Sequence, residues 1–463
     1  MFSTNIYVQR RKALCAQLQS GLLLFLGNKE APCNYLDNTY RFRQDSSFLY
    51  FFGLDEPDLA AVIDVETGAE YLFGDDIGID SIVWMGPQPP IREKAQRVAV
   101  ANVHPLAELE GMIKKATALG RSVHFLPPYR YANKITLMDL LGIHPNDQKT
   151  KASEPFTRAV IALRAIKQPE EVFELDKAAN IGYMMHYTAM KMAKLGMLEQ
   201  ELVGVMEGIA ISNGTMPSFP IILSQNGETL HNHTHHQTIT DGRLLLIDAG
   251  AETNTHYASD FTRTLPCSGR FTDQQKALYS LVLEATNHAI GLCKPGIPFK
   301  QVHLSAARVI VEGLKGMGIM KGNTDDAITH GAHAMFFPCG LGHNMGMDVH
   351  DMEDLGEQWV GYDQTVTRST QFGLKSLRMA KALCVGNVMT VEPGIYFIPA
   401  LMDKWRAEKH NTDYLCFDVM DNFRSFGGIR IEDDIIITPD GYRMLGSKRL
   451  PTTVAEVEEA MQE

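Results

Sequence analysis

Two acids, Asp248 and Asp260, stand in the stretch LLLIDAGAETNTHYASDFTRT, residues 244–264, which runs apolar into the first and climbs out through the second. If the turn of this hairpin is centred on Asn254, Asp248 faces Asp260 across the ladder. Opposed side chains in an antiparallel pair have Cβ atoms about 4.5–5.5 Å apart, and like charges there are destabilising. The conflict is worse beside Leu244, Leu245, Leu246 and Ile247, where water is scarce. A pair of divalent cations would remove it, since bridged two-metal sites hold their ions about 3.5–4 Å apart. For two isolated acids the plainer alternative is that one is a turn residue on the solvated side. A metal reading therefore needs more ligands.

Three further segments supply candidates. FFPCGLGHNMGMDVHDM places His343 and His350 in a glycine-rich stretch, where missing side chains let backbone approach a ligand closely. NVMTVEPGIYF runs a β-branched strand into Glu392 and stops it with Pro393 and Gly394. GGIRIEDDIIIT alternates, so that Ile429 and Ile431 face one way while Arg430, Glu432 and Asp434 face the other. Each residue alone has a plain explanation: Glu392 could end a strand in solvent, Glu432 could pair with Arg430, and His343 could be a satisfied core histidine. Together, four carboxylates and one imidazole make an oxygen-rich cage for two divalent ions, a composition that suits Mn²⁺ or Co²⁺ and differs from a structural thiolate zinc site. Two such ions lower the pKa of a shared water and polarise a carbonyl, the two needs of amide hydrolysis.

Elements must hold these residues in place. The chain of 463 residues, 45% hydrophobic, is long enough for more than one domain. Its first part alternates strand-like and helix-like segments: GLLLFLG, the hairpin-like LAAVIDVETGAEYLFG, the helical LAELEGMIKKATALG and then SVHFLPP. Pro169 and Glu170 open a long amphipathic helix, with proline at an early position and acids in the first turn. The reading is α/β (α+β), with an α/β domain over residues 1–165 and a second mixed domain over 166–463 that carries the acids. The closing TTVAEVEEAMQE reads as a solvated acidic helix end. A net charge of −12 argues against a nucleic-acid or anionic-membrane surface as the main partner. Seven scattered cysteines without a CxxC pair read as reduced thiols. Arg10, Arg11 and Lys12 before GLLLFLG imitate an export signal, but the apolar run is too short and lacks a cleavage site. The expected location is cytoplasmic, with no membrane span.

The motifs IDAG, SDFTRT, GLGHNMGMDVHD, TVEPGIY and GIRIEDD, with YRFRQDSSFLYFFGLDEPD in the front part, stand in the order found in a known family. The chain resembles the Xaa-Pro peptidases of the pita-bread fold, the group containing aminopeptidase P and prolidase, over nearly its whole length. The resemblance implies a creatinase/aminopeptidase P-like amino-terminal domain followed by a pita-bread metallopeptidase domain. It implies that Asp248 binds one metal, that Asp260 and Glu432 bridge both, and that His343 and Glu392 complete the other. Glu392 would also take a proton from the attacking hydroxide. By the same resemblance His231, in LHNHTHH, contacts substrate, while His350 steadies the scissile carbonyl and developing oxyanion. The neighbouring His233, His235 and His236 read as solvated loop residues. Tyr396 and Arg430 match positions that support the ligands, Arg430 orienting a ligand carboxylate. Mn²⁺ is the expected ion, with Co²⁺ or Zn²⁺ as alternatives, and a homodimer is the expected assembly.

Two departures qualify the resemblance. Cys339 stands where the family usually has a substrate-pocket histidine, which puts rate and preference in doubt, and the spacing from Asp248 to Asp260 is one residue longer than usual. Cys339 itself reads as an inert small residue. Within the family, aminopeptidase P releases the first residue from longer Xaa-Pro peptides and prolidase cleaves Xaa-Pro dipeptides. The insertion DLGEQWVGYDQTVTRSTQFGLKSLRMAKAL resembles the prolidase loop, in which Arg378 matches the arginine that clamps a dipeptide's free carboxylate. The alternative is a solvated basic helix face of Lys375, Arg378 and Lys381. Dipeptidase is the first reading and aminopeptidase P the second, with proline-containing dipeptides or short peptides as substrates. A metal-free creatinase-like hydrolase and a non-catalytic binding module of the same fold are disfavoured by retention of all five ligands, and methionine aminopeptidase by the front domain.

Overall fold

A computed structural model describes residues 1–462, and within it the chain divides into two units, Met1–Arg164 with Glu353–Gly356, and Ala165–Met352 with Glu357–Glu463. In the first unit the apolar run Leu22–Leu26 forms strand β1, Ala60–Asp64 forms β2, Glu70–Phe73 β3, Asn102–His104 β4 and Val123–Phe125 β5. They make one mixed sheet in the order β4-β3-β2-β1-β5. Strands β2 and β3 pair antiparallel through the ETG turn, where Gly68 takes the left-handed φ of 70° that the reversal requires. Leu22, Leu24, Val62 and Phe73 pack with Leu109 and Ile113 of the Glu108–Ala118 helix into this unit's core.

The second unit opens with helix Pro169–Met192, with proline in its first turn and the Gln168 N–H donating to Glu171 Oε2 at 3.0 Å. Ile222–Ser224 (β6), Leu244–Ala249 (β7) and Phe261–Pro266 (β8) form an antiparallel sheet with β7 in the centre. Val388–Val391 (β9), Asp433–Thr438 (β12) and Gly441–Met444 (β13) form another three-stranded sheet, and Gly394–Tyr396 (β10) pairs with Gly428–Arg430 (β11). A bridge between Thr262 and Glu432 carries the pairing from β8 to the residues just before β12. Behind it, the fully buried Arg263 donates to Asp433 Oδ1 at 2.7 Å and to the carbonyls of Glu432 and Pro451 at 2.7 and 2.9 Å. This arginine ties β8 to the strand that bears the later acids. Helices Asp273–Leu292 and Phe299–Gly316 bury their apolar faces in the same core. None of the helices of the described residues is long and apolar enough to cross a membrane.

The carboxyl-terminal segment corrects an expectation. Val454–Ala460 is a helix, but Val457 is fully buried and Ala460 nearly so. Glu458 is buried as well, and accepts from the Phe271 N–H at 3.0 Å and from Arg270 at 2.8 Å. An alanine and a valine spaced by three residues give too thin an apolar stripe to stand out among the acids around them, so the sequence reads as solvated where the helix docks.

His303 and His333 lie in the core of the second unit with ring centroids 6.2 Å apart, and no protein group lies within hydrogen-bonding reach of any of their ring nitrogens among the described residues. Burial pushes His303 down to about 3 and His333 down to about 4 from an ordinary 6.5. Both rings are neutral in the fold and take up protons once unfolded, so the unfolded state binds more protons as pH falls from 6.5 to about 4. Stability drops across that window. The double substitution His303→Leu with His333→Leu should flatten this part of the melting temperature against pH curve; an unchanged slope would clear the two histidines of the effect.

Candidate active site

Asp248 is the penultimate residue of β7, and the ladder sets it opposite Thr262 rather than Asp260. The expected register is therefore off by two residues. A further bridge between Glu252 and Ala258, with His256 at a φ of 64°, centres the reversal one residue later than Asn254. Asp260 then lies just before β8, diagonal to Asp248, and diagonal neighbours across a ladder are about 7–8 Å apart. Asp248 faces a hydroxyl, and the crowding of charge comes from other segments.

Those segments arrive by backbone pairing. Residues 341–345 run antiparallel to β9: the Thr390 N–H donates to the His343 carbonyl at 3.0 Å, the His343 N–H to Thr390 Oγ1 at 3.1 Å, and the Glu392 N–H to the Leu341 carbonyl at 2.7 Å. Gly342 permits this approach, since a Cβ there would meet the Thr390 carbonyl oxygen at 2.0 Å. The glycine thus serves contact with a neighbouring strand. Thr262 Oγ1 donates to Glu432 Oε2 at 2.6 Å and fixes the third carboxylate beside the hairpin.

The result is a buried cluster. Asp260, His343 and Glu432 each offer one ligand atom, all within 4.8 Å of one another. His343 Nε2 lies 3.5 Å from Asp260 Oδ2 and 3.6 Å from Glu392 Oε1. His343 Nδ1 is 3.1 Å from the Asn344 carbonyl oxygen, which assigns the proton to Nδ1 and leaves the Nε2 lone pair facing the acids. Burial, then His350 nearby, holds this imidazole well below the ordinary histidine range, so it is neutral. Asp248 Oδ2 accepts from Arg430 Nη2 at 2.5 Å, and Arg430 also donates from Nη1 to Tyr396 Oη at 2.8 Å and from Nε to Thr262 Oγ1 at 3.0 Å. One guanidinium thereby orients an acid, a phenol and the threonine that holds Glu432.

The electrostatics call for positive charge. Burial, reinforced by Glu432, pushes Asp260 well above the usual carboxyl range, and burial with Glu392 does the same to Glu432. Glu392 is raised to about 7, chiefly by burial, although one fifth of its side chain stays exposed. Asp248 Oδ1 and Asp260 Oδ1 are buried and have no hydrogen-bond donor among the described residues. Orphaned carboxylate oxygens beside acids that resist ionisation together fit a site for cations. The all-oxygen and imidazole donor set fits divalent ions of the harder kind.

The remaining expected site residues fall around this cluster. His350 packs edge-on against His343 with ring centroids 4.3 Å apart. His231 is exposed, and the charges of Arg430, Asp248, Arg378 and His350 all bear on it. Arg378 is half-buried, 3.8 Å by its Nε from Glu357 Oε1, and its charge reaches His231, His343 and Glu392. The stretch around it is a loop with a short 3-10 turn at Leu374–Ser376, so Lys375, Arg378 and Lys381 form no helix face. Cys339 packs with Ile222, Leu246 and Tyr396, and burial pushes its thiol up to about 12, which keeps it protonated. His235 Nδ1 is 3.0 Å from the Leu223 carbonyl oxygen, while His233 and His236 are exposed. Sequence reasoning missed Thr262, Thr390 and Asn344, and missed the job of Asp434, whose Oδ2 accepts from the Asp260 N–H at 2.9 Å. The two threonines could have been found by alternation, each being two residues from an acid on the same strand face.

Known proteins resemble this chain along most of its length. The profile described as metallopeptidase family M24 matches residues 174–439, and the one described as aminopeptidase P, N-terminal domain, matches residues 7–124. The chain is 32% identical to the Xaa-Pro dipeptidase of Homo sapiens over 98% of its own length and 93% of that protein's. It is 30% identical to a probable Xaa-Pro aminopeptidase of Metarhizium robertsii, over 92% of this chain and 88% of that one. Zinc-substituted Escherichia coli aminopeptidase P in complex with product superposes with a TM-score of 0.81 at 29% identity, covering all of this chain and 98% of the other. The mixed α/β architecture is the aminopeptidase P fold, an amino-terminal domain of that type followed by the peptidase domain. With the buried acids, the neutral imidazole and the arginine all lying within the matched span, the chain belongs to metallopeptidase family M24 and is a metallopeptidase.

Proposed function

We propose that the protein is an Xaa-Pro dipeptidase, hydrolysing the bond before proline in two-residue substrates. The observation that carries the choice of dipeptide is Arg378, half-buried and close enough for its charge to act on His231, His343 and Glu392. A guanidinium there would take the free carboxylate of a dipeptide through two parallel hydrogen bonds and leave no room beyond proline. The likeness to the human dipeptidase supports this reading, and that to the Metarhizium aminopeptidase and to aminopeptidase P keeps removal of the first residue from longer Xaa-Pro peptides as the second.

Asp248, Asp260, His343, Glu392 and Glu432 would hold two divalent ions, Mn²⁺ by the hardness of the donors, with Co²⁺ or Zn²⁺ as substitutes. When bound, the ions supply Lewis acidity and a water of lowered pKa. The chain's own side chains do the rest. Glu392, with one fifth of its side chain open, accepts the proton of the attacking water and passes it toward the leaving amine. His350 donates to the scissile carbonyl oxygen as negative charge develops there. His231 lines the substrate side, and Arg430 with Tyr396 fixes the Asp248 carboxylate in the orientation in which it would hold an ion. Domain limits of 1–165 and 166–463, a reducing cytoplasmic setting supported by seven free cysteines, and a homodimer complete the reading. The helix Ile79–Met85 buries none of its residues and leaves Trp84 86% exposed, which favours a second copy; a monomer on sedimentation would remove that part.

Protein stripped of metal and then supplied with Mn²⁺ should release proline from Ala-Pro and leave Ala-Pro-Ala intact. Metal-dependent release of alanine from the tripeptide would make the enzyme an aminopeptidase P and reduce Arg378 to a surface charge.

A further inference from the structure

His343 and His350 sit at the two ends of a loop that closes on itself. The Asp351 N–H donates to the Asn344 carbonyl at 2.9 Å, the Gly346 N–H to the Asp348 carbonyl at 3.1 Å, and the Asp348 N–H to Asp351 Oδ1 at 3.4 Å. The loop is anchored outward as well, through the Met345 N–H to the Val388 carbonyl at 3.0 Å and the Ala258 N–H to the Gly346 carbonyl at 2.8 Å. Its interior is charged. Asp351 Oδ2 is 2.9 Å from Lys167 Nζ, with 1% and 2% of the two side chains exposed. Gly346 leaves the space for this pair, because a Cβ there would meet Asp351 Oδ2 at 2.4 Å and Lys167 Cε at 2.9 Å. Lys167 is itself pinned, its N–H donating to the Gly386 carbonyl at 2.9 Å just ahead of β9.

A buried ion pair is a poor source of stability, since apolar residues of similar volume often serve as well or better. What it can give is a fixed geometry. The next residue, Met352, is buried and held at a φ of 64°, a left-handed conformation unusual for a long side chain, which persists only where the surroundings dictate the backbone. We infer that Lys167 and Asp351 are positioning residues, an internal clamp that sets His350 against His343 and so aims it at the substrate carbonyl. The inference rests on the role of His350 proposed above.

Stability and turnover should come apart when the pair is neutralised. In Mn²⁺-loaded full-length protein, Lys167→Met with Asp351→Asn should fold, bind the same amount of metal and keep its KM for Ala-Pro, while kcat falls by about 10- to 100-fold, the scale of a misaimed group. Lys167→Arg, which keeps the charge, should recover most of the rate. Lys167→Met alone leaves Asp351 buried without its cation and can fail to fold, so the double variant carries the test. A folded, metal-replete double variant with the wild-type kcat would overturn the clamp, as would a loss of activity that merely tracks the loss of folded protein. His350→Ala in the same assay separates the two levels: if it keeps full activity, the reading of His350 falls and the clamp with it. If it is impaired while the double variant is not, only the clamp falls.

Discussion

Asp260→Asn should abolish hydrolysis while leaving the fold intact. The carboxyl is buried, is 3.5 Å from His343 Nε2 and is crowded by Glu432, Asp248, Asp434 and Glu392, so in the metal-free protein its charge is already disfavoured. Asparagine is neutral as the protonated acid is, so the metal-free fold is kept, and its backbone N–H still reaches Asp434. What would be lost is the negative charge that Asp260 would offer to both ions. Loss of a ligand's supporting partner costs about 10- to 100-fold in metal affinity or activity, and loss of a bridging ligand should exceed it. Two measurements check this together: Mn²⁺ should raise the melting temperature of the wild type and not that of the variant, and metal content per chain should fall in the variant. An active variant that still holds its full complement of metal would sink the assignment of Asp260 as a bridge.

Glu392→Gln should be nearly as damaging and differ in kind. Its backbone N–H holds the Leu341 carbonyl and its Oε1 is 3.5 Å from Thr390 Oγ1, contacts that glutamine can reproduce in shape. Glutamine cannot take a proton. The rate should drop by about 100- to 10,000-fold, the contribution of a well-placed general base, with substrate affinity changed far less. Glu392 is also a proposed ligand, so bound metal is measured alongside: a variant whose rate falls only in proportion to its loss of metal would make Glu392 a ligand with no part in proton transfer. Taken with Asp260→Asn, the pair of results separates holding the ions from moving the proton.

Much of this site is legible in the amino-acid sequence, because charge on an apolar strand is a local anomaly. Glu392 after Val388–Val391, and Glu432 after Ile429 and Ile431, are such anomalies, and each lies at the buried cluster. The hairpin register is less readable, since it depends on the conformation of its tip, where one residue, His256, with a positive φ moves the reversal. The supporting threonines escape notice because Thr on a strand is ordinary, and only its partner, Glu432 for Thr262, makes it informative. The docked terminal helix is obscured for the opposite reason, its acids masking the two small residues that bury. Glycine marks close approach at 342 and 346 as its type suggests, and protein atoms from other segments approach at both positions. Local chemistry is written in neighbouring residues, whereas partners from other segments are set by the fold.

Thr262 grips Glu432 across 170 positions of chain, and Arg430 grips Asp248 across 182. During synthesis the ribosome adds about 5–20 residues per second, so roughly 10–40 s separate the emergence of the first acid from that of the last. Throughout that interval the hairpin that displays Asp248 and Asp260 lacks the strand that completes it. A nascent or truncated chain ending before Glu432 therefore carries four of the five proposed ligands and lacks the one that Thr262 holds in place, so metal capture would be a late event in the protein's biogenesis, tied to completion of the chain.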